Sequence, residues 1–167
     1  TSGREQADIT GLIGQYAHGN EPSHHIAYLF NRAGKPWRTQ YWINQILKTQ
    51  YNTTPNGLSG NEDAGQMSAW YVWSSMGLYP FNPASATYEI GSPVYEKSTI
   101  NLPSGKTFTI SAVGVSEDNF YIQSATLNGE AFNQTSITHE QITAGGELKL
   151  VMGATPNKNW GVAAQAE

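Results

Sequence analysis

Two short segments of the sequence concentrate side chains that can do acid–base or metal chemistry. The first, His18-Gly19-Asn20-Glu21-Pro22-Ser23-His24-His25, holds three of the four histidines. The second, Gly60-Asn61-Glu62-Asp63-Ala64-Gly65-Gln66-Met67, sets two adjacent acids between glycines. Both patterns predict a turn that leads into a helix. Each segment would therefore hold a carboxylate beside the exposed backbone N–H groups of a helix start.

The acids of the second segment are compatible with catalysis, with cation binding or with a plain cap. We expect the helix dipole to lower the pKa of an acid there and to keep it ionised, as a general base for water requires. A hard cation also prefers carboxylates, together with amide oxygens such as those of Asn20, Asn61 and Gln66. The plainer alternative is helix capping, with Asn61 as the cap and Glu62 and Asp63 in the first turn.

The histidines of the first segment do not have the spacing of a zinc helix. His24 and His25 are adjacent and point to different faces, whereas a zinc-binding helix places its histidines four residues apart. The plainer alternative here is a capped helix, with Glu21 interacting with the dipole and one histidine packed in the core.

The elements that must position these segments are helical up to about residue 77. Apolar side chains recur three and four residues apart, with Pro at helix starts and Gly at helix ends. We predict a weak helix over 7–16 and stronger helices over 22–33, 35–51 and 65–76, with a loop over 53–60. The last helix has almost no polar face, so we expect it to be buried.

After Pro80 the apolar period changes from helical to two, which predicts strands. The strands are expected over 87–90, 98–102, 107–113, 120–127 and 147–152, and Asn128-Gly129 predicts a hairpin turn. Closely spaced strands with Gly and Pro turns favour an antiparallel sheet or sandwich. The predicted fold class is therefore α+β, with a helical segment over 1–80 and an antiparallel β-rich part over 81–167.

Composition excludes several classes of function. Charged residues make up 13% of the chain, the net charge is −4 and no run of Lys or Arg exists, so we expect no nucleic-acid partner. No apolar run is long enough to span a membrane, and the absence of cysteine excludes disulfides and thiol chemistry. Aromatic residues at 11% are typical of sugar-binding clefts and equally of an ordinary core. The start of the chain predicts an internal piece or a processed product.

At the two motifs the sequence resembles the calcium-dependent exo-acting α-mannosidases of glycoside hydrolase family 92. The resemblance covers most of residues 11–103 and weakens across the β-rich tail. It is carried by the stretches 11–25, 33–37, 57–72, 77–80, 82–83 and 91–93.

The resemblance implies a larger protein. Family members are several times longer and join an N-terminal β-sandwich to an (α/α)₆ toroid, so this chain would be the C-terminal end, with its helices the last of the toroid. The upstream general acid would be missing, and we expect the chain alone to be inactive. An opened toroid would expose apolar faces. The chain would then pair with the remainder of the enzyme or with itself to cover Trp37, Trp42, Trp70 and Trp73.

The family resemblance also implies a reaction. It implies an inverting hydrolase that uses Ca²⁺ to hold terminal α-linked, and by preference α-1,2-linked, mannose of a glycan. The expected location is periplasmic or extracellular, in a bacterium. The alternative from another class is a non-catalytic carbohydrate-binding or structural assembly module that keeps the cleft.

Residue roles follow from the family's motifs. The family's base region is an acid-x-acid stretch whose second acid corresponds to Asp63, the predicted general base. Asn61 takes the first position, where some members have Asp, and is assigned an orienting role, while Glu62 is the alternative base. Asn20 and Glu21 are the predicted calcium ligands. The predicted substrate contacts are His18, Asn20, His24, His25 and Gln66.

Overall fold

The computed structural model describes residues 9–162 and confirms the α+β class. A short β-hairpin comes first, the longer α-helices follow it, and the two larger sheets come last, with one short α-helix between their last two strands. The α-helices are α1 (Leu29–Arg32), α2 (Pro36–Thr49), α3 (Gln66–Met76) and α4 (His139–Thr143), and 3₁₀ turns span Glu21–Ser23, Ile26–Tyr28 and Pro83–Ser85. No helix in the described part of the chain is long and apolar enough to cross a membrane.

The two long predicted helices are present. α2 begins at a proline, whose fixed φ suits the first turn, and buries Ile43, Ile46 and Leu47 along one face. α3 lies between Gly65 and Gly77, which have φ of 89° and 92°, a region that favours glycine. Its expected complete burial is wrong, because Val72 is 53% exposed. The four tryptophans expected to need cover are partly or fully buried within the chain.

The two helix predictions before α2 do not hold as made. Residues 9–16 contain no helix, and β1 (Leu12–Ile13) pairs instead with β2 (Tyr16–Ala17). Gly11 and Gly14 there have φ of 63° and 61°, which a right-handed helix does not allow. Residues 7 and 8 lie outside the described part.

The helix predicted over 22–33 breaks into 3₁₀ turns followed by α1. The indole Nε1 of Trp70 donates to the His24 carbonyl at 3.0 Å, and the N–H of Tyr28 donates to His25 instead. The backbone carbonyl that an α-helical bond would need is therefore already engaged by α3.

Besides the β1–β2 hairpin, the described strands form a five-stranded sheet and a three-stranded sheet. The order is β5-β6-β10-β7-β8 in the larger sheet and β3-β4-β9 in the smaller one. Their bounds are β3 (Leu78–Asn82), β4 (Thr87–Ile90), β5 (Lys97–Asn101), β6 (Thr107–Val113), β7 (Tyr121–Leu127), β8 (Glu130–Ala131), β9 (Ser136–Thr138) and β10 (Gly146–Gly153).

The sheets depart from the sequence prediction in one pairing. β10 runs parallel to β6 and antiparallel to β7, so the larger sheet is mixed. The cause is the long excursion through β8, β9 and α4, after which the chain re-enters the sheet in the direction of β6. The Asn128-Gly129 turn joins β7 to β8 as predicted.

The helical and β-rich parts contact one another through buried polar groups. Gln40 on α2 accepts from the Ile122 N–H on β7 at 3.0 Å, and Glu89 on β4 pairs with Arg32 at 2.8 Å. The proposed division into 1–80 and 81–167 stays a prediction, and β3 already begins at Leu78.

Candidate active site

The two motif segments meet and line one polar cleft of about 460 Å³. The first segment contributes Gly19, Asn20, Glu21 and Pro22, and the second contributes Gly60, Asn61 and Asp63, with Thr10 at the edge. Four of the residues selected from the sequence therefore face a common space, although Asn20 and Glu21 precede Asn61 and Asp63 by 40 or more positions.

Glycines make this close approach possible. A Cβ on Gly19 would clash with the Ser59 carbonyl oxygen, and one on Gly60 would lie 2.6 Å from Thr10 Oγ1. Gly60 also has φ of 112°, which L side chains rarely adopt. Thr10 Oγ1 donates to the Ser59 carbonyl at 3.2 Å and ties the chain before the hairpin to the second loop.

The carboxyl groups of Glu21 and Asp63 face each other across this cleft. The neighbouring Glu21 raises the pKa of Asp63 above its ordinary value, because a second acid nearby disfavours the charge of the first. The expectation that the helix dipole would lower this pKa is wrong, because Asp63 lies three residues before α3 and its nearest charge is another acid. Glu21 Oε1 is buried and has no hydrogen-bond partner.

The backbone around Asp63 is strained. Asp63 and Ala64 both have left-handed φ, of 47° and 57°. Non-glycine residues in this region typically cost about 1–3 kcal/mol each and are enriched at functional sites. The strained turn carries the Asp63 side chain into the cleft, where it is exposed to solvent.

Glu62 points away from the cleft and caps α3. Its Oε1 accepts from the Ser68 N–H at 2.9 Å and its Oε2 from the Ser68 hydroxyl at 2.8 Å. The capping alternative therefore applies to Glu62 and not to Asn61, which lines the cleft. Asp63 is the acid of this pair that is free to act in the cleft.

His18 and His24 lie behind the cleft wall and not in it. His18 has no exposed surface and His24 is 1% exposed. Both nitrogens of each ring have hydrogen-bond partners. The structure therefore places both predicted substrate contacts behind the wall, with neither ring lining the cleft.

The His18 ring has a defined tautomer. The Tyr51 hydroxyl donates to the Met67 carbonyl at 3.1 Å, so its oxygen accepts from His18 Nε2 at 2.6 Å. His18 Nδ1 then accepts from the Tyr16 hydroxyl at 2.8 Å. Burial lowers the pKa of His18 to about 3, so the ring is neutral at physiological pH.

The remaining predicted contacts divide between the cleft and its surroundings. Asn20 lines the cleft. His25 is exposed and packs edge-on against Phe81, and it does not line the cleft. Gln66 is half-buried and hydrogen-bonds His24.

Tyr16, Tyr51 and Thr10 were missed by sequence reasoning. Tyr16 lies two residues before His18. Residues two apart in extended chain point to the same face, so the spacing could have indicated their contact. Tyr51 lies 33 positions from His18, and nothing local indicates that contact.

The ligands that the cleft can offer to a cation are oxygen atoms. No cluster of three or more His, Cys, Asp or Glu side chains able to hold a metal exists within residues 9–162. The two carboxyl groups and the amides of Asn20 and Asn61 supply oxygen donors, which hard cations such as Ca²⁺ prefer. The buried, unpaired Glu21 oxygen fits such an ion.

Comparison with known proteins gives consistent matches along the chain. Residues 1–154 match the glycosyl hydrolase family 92 catalytic domain. The chain is 37% identical over 146 residues to an uncharacterized secreted glycosidase of Arthroderma benhamiae, which covers 86% of this chain and 19% of the relative.

Two solved structures from Bacteroides thetaiotaomicron are also similar. A family 92 α-mannosidase in complex with mannoimidazole has a TM-score of 0.90 at 43% identity, covering 93% of this chain and 20% of that one. A family 92 inverting mannosidase has a TM-score of 0.85 at 46% identity, covering 90% and 20%. The chain spans about a fifth of the length of these relatives.

Proposed function

The chain belongs to glycosyl hydrolase family 92, and from that premise we propose that its cleft is the base-bearing wall of an inverting, calcium-dependent exo-α-mannosidase. The observation that carries the proposal is the Glu21–Asp63 carboxyl pair facing one polar cleft. The similar α-mannosidase bound to mannoimidazole supports mannose as the sugar, and the similar inverting mannosidase supports inversion. We propose terminal α-1,2-linked mannose of a glycan as the first substrate to test.

Asp63 acts as the general base in this proposal. It is solvent-exposed in the cleft, and its neighbour Glu21 makes it hold a proton more firmly than an isolated carboxylate does. A base needs that property in order to take a proton from attacking water. Asn61, on the same wall, orients that water through its amide.

Glu21 and Asn20 are the proposed ligands of Ca²⁺. Glu21 is suited to this role because one of its oxygens is buried without a partner, and an uncompensated buried carboxylate oxygen is costly. Calcium bound there would supply positive charge against which sugar hydroxyls are held. The substrate-side role of Asn20 is proposed together with this site.

The general acid is proposed to come from a part of the longer polypeptide outside these 167 residues. Inverting glycosidases use two carboxyl groups, one as acid and one as base. Glu21 is assigned here to Ca²⁺ and is therefore not the general acid. Glu62 is engaged by Ser68. The isolated chain should therefore lack the ~10²–10⁴-fold contribution of acid catalysis.

We further propose export to the periplasm or the extracellular space of a bacterium. The Arthroderma relative is named as secreted, and the mannosidases of similar structure are bacterial. The remainder of the longer polypeptide is the proposed partner that completes the active site.

Calorimetric titration of the chain with CaCl₂ and then mannoimidazole tests the proposal. We expect the sugar analogue to bind only with Ca²⁺, and Glu21→Gln to weaken Ca²⁺ binding at least about tenfold. Asp118→Asn, on an exposed loop, is the matched control and should change nothing. A Glu21→Gln protein that binds Ca²⁺ like wild type would contradict the assignment, as would full turnover of a mannobioside by the isolated chain.

A further inference from the structure

Behind the cleft, His24 connects the two loops that carry Glu21 and Asp63. Its Nε2 lies 2.9 Å from the His18 carbonyl oxygen. A carbonyl only accepts, so Nε2 carries the hydrogen. Its Nδ1, 3.1 Å from Gln66 Nε2, must then accept from that amide. Both ends of the ring are used, and the bond fixes the tautomer of His24 and the orientation of the Gln66 amide together.

His24 and Gln66 have the same sequence spacing from the two acids of the cleft. His24 follows Glu21 by three residues, and Gln66 follows Asp63 by three residues. Gln66 is the first residue of α3. The His24 carbonyl also accepts from Trp70 Nε1, one turn further along α3, at 3.0 Å. The end of the first loop is therefore held to α3 at two points.

The cleft needs such a connection because its carboxyl groups repel each other when ionised. Two carboxylates that line one cleft disfavour each other's charge, and Glu21 Oε1 has no hydrogen bond to hold it. The hydrogen bond between Thr10 and Ser59 lies at the other end of the loops and does not hold the two carboxyl groups in place. Burial lowers the pKa of His24, so the ring stays neutral and keeps Nδ1 as an acceptor.

We propose that His24 and Gln66 are positioning residues, whose hydrogen bond fixes the turn of Glu21 against the start of α3 and so sets where the Glu21 and Asp63 carboxyl groups meet. Neither residue touches the substrate in this role. This His24–Gln66 hydrogen bond, called the bridge below, rests on the proposed function in one respect, since the cation for which it prepares the cleft is itself proposed.

Gln66→Met and His24→Gln test the bridge in the full chain. Met matches the shape of Gln but donates nothing to Nδ1, and Gln in place of His24 keeps a donor for the His18 carbonyl while losing the acceptor for Gln66. Gln40→Met is the matched control, because Gln40 is 1% exposed, as His24 is, and bridges α2 to β7 outside the cleft lining.

Two readouts separate the bridge from the cation. In Ca²⁺-free buffer, amide hydrogen exchange of segments 18–25 and 60–66 should rise together, at least threefold, in either variant and not in Gln40→Met. Ca²⁺ affinity should fall about 10- to 100-fold in either variant, as for other residues that support a ligand indirectly, and no further in the double variant.

Faster exchange in only one segment would overturn the bridge, as would additive losses of affinity in the double variant. If the wild-type chain binds no Ca²⁺, the proposed cation site fails, while the exchange measurement still decides for or against the bridge.

Discussion

The hydroxyl oxygen of Tyr51 lies 2.6 Å from His18 Nε2, and this bond joins the end of α2 to the first cleft loop. The same hydroxyl donates to the Met67 carbonyl in α3. Tyr51 therefore connects three segments that approach one another only in the folded chain.

Tyr51→Phe should lower the free energy of unfolding by about 1–3 kcal/mol, because it leaves the buried N–H of His18 without an acceptor. Urea denaturation measures the change. Tyr88→Phe is the control, since the Tyr88 hydroxyl bonds His139 at an exposed position, and it should cost less than about 0.5 kcal/mol. Equal losses in the two variants would contradict the buried bond.

The neutral state of His18 should make stability depend on pH. Its pKa is lowered to about 3 in the folded chain but is about 6.5 when unfolded. The unfolded chain therefore binds one more proton between these values, and stability present above pH 6.5 is lost as pH falls. The loss from this residue should reach about 2 kcal/mol at pH 5.

Urea denaturation at pH 8 and pH 5 tests that dependence on His18. His18→Asn should remove about 2 kcal/mol of the difference between the two pH values, whatever its effect on stability at pH 8. His139→Asn, at an exposed position, should leave the difference intact. An unchanged pH dependence in His18→Asn would show that His18 is not buried as a neutral ring.

Removing either partner of the Arg32–Glu89 pair should have unequal effects. Glu89 is 1% exposed while Arg32 is 55% exposed, so Arg32→Met leaves a buried charge whereas Glu89→Gln leaves a hydrated one. We expect Arg32→Met to cost about 3 kcal/mol and Glu89→Gln about 1 kcal/mol. The bond from Asn31 to Glu89 moderates the first value. Thermal or urea unfolding of both variants that gave the reverse order would contradict this account.

Elements with strong local signals were predictable from the sequence. α2 begins at a proline, α3 lies between two glycines, and Asn128-Gly129 dictates a tight turn between adjacent strands. The parallel pairing of β10 with β6 was not predictable, because four other elements separate these two strands in the chain. The β1–β2 hairpin was missed because its glycine turns lie within an apolar pattern that resembles a helix.

The candidate site divides in the same way. Residue types identified both loops, since acids between glycines are rare in an ordinary helix start. Which acid enters the cleft depends on the left-handed backbone at Asp63 and on Ser68, which engages Glu62. The burial of His18 and His24 depends on contacts with residues 33 to 46 positions away, which no local pattern reveals.

Asp63→Asn and Glu62→Gln should separate catalysis from capping in a full-length family member that carries this segment. Asp63→Asn should lower kcat by ~10²–10⁴-fold with unchanged folding, as expected for loss of a general base. Glu62→Gln should weaken the cap of α3 by about 1 kcal/mol and leave kcat within a few-fold of wild type. Steady-state kinetics and thermal unfolding of each variant measure both effects. A larger loss of kcat in Glu62→Gln would reverse the assignment.

An apolar groove of about 220 Å³ lies between the hairpin and α2. We expect it to make the isolated chain self-associate and bind apolar molecules. Its lining includes Ile13, Ile26, Phe30 and Trp42, and Ile26 and nearby Leu29 are 41% and 42% exposed. Exposed apolar patches of this kind typically mark a surface that another segment covers. We expect the chain to bind an apolar dye and to self-associate at high concentration in light scattering, and Ile26→Ser with Leu29→Ser to reduce both. The control, Val113→Ser, alters an equally exposed residue on β6 outside the groove and should not. A wild-type chain that stays monomeric and binds no dye would show that this groove needs no cover. That result would contradict the expectation that another segment packs against it.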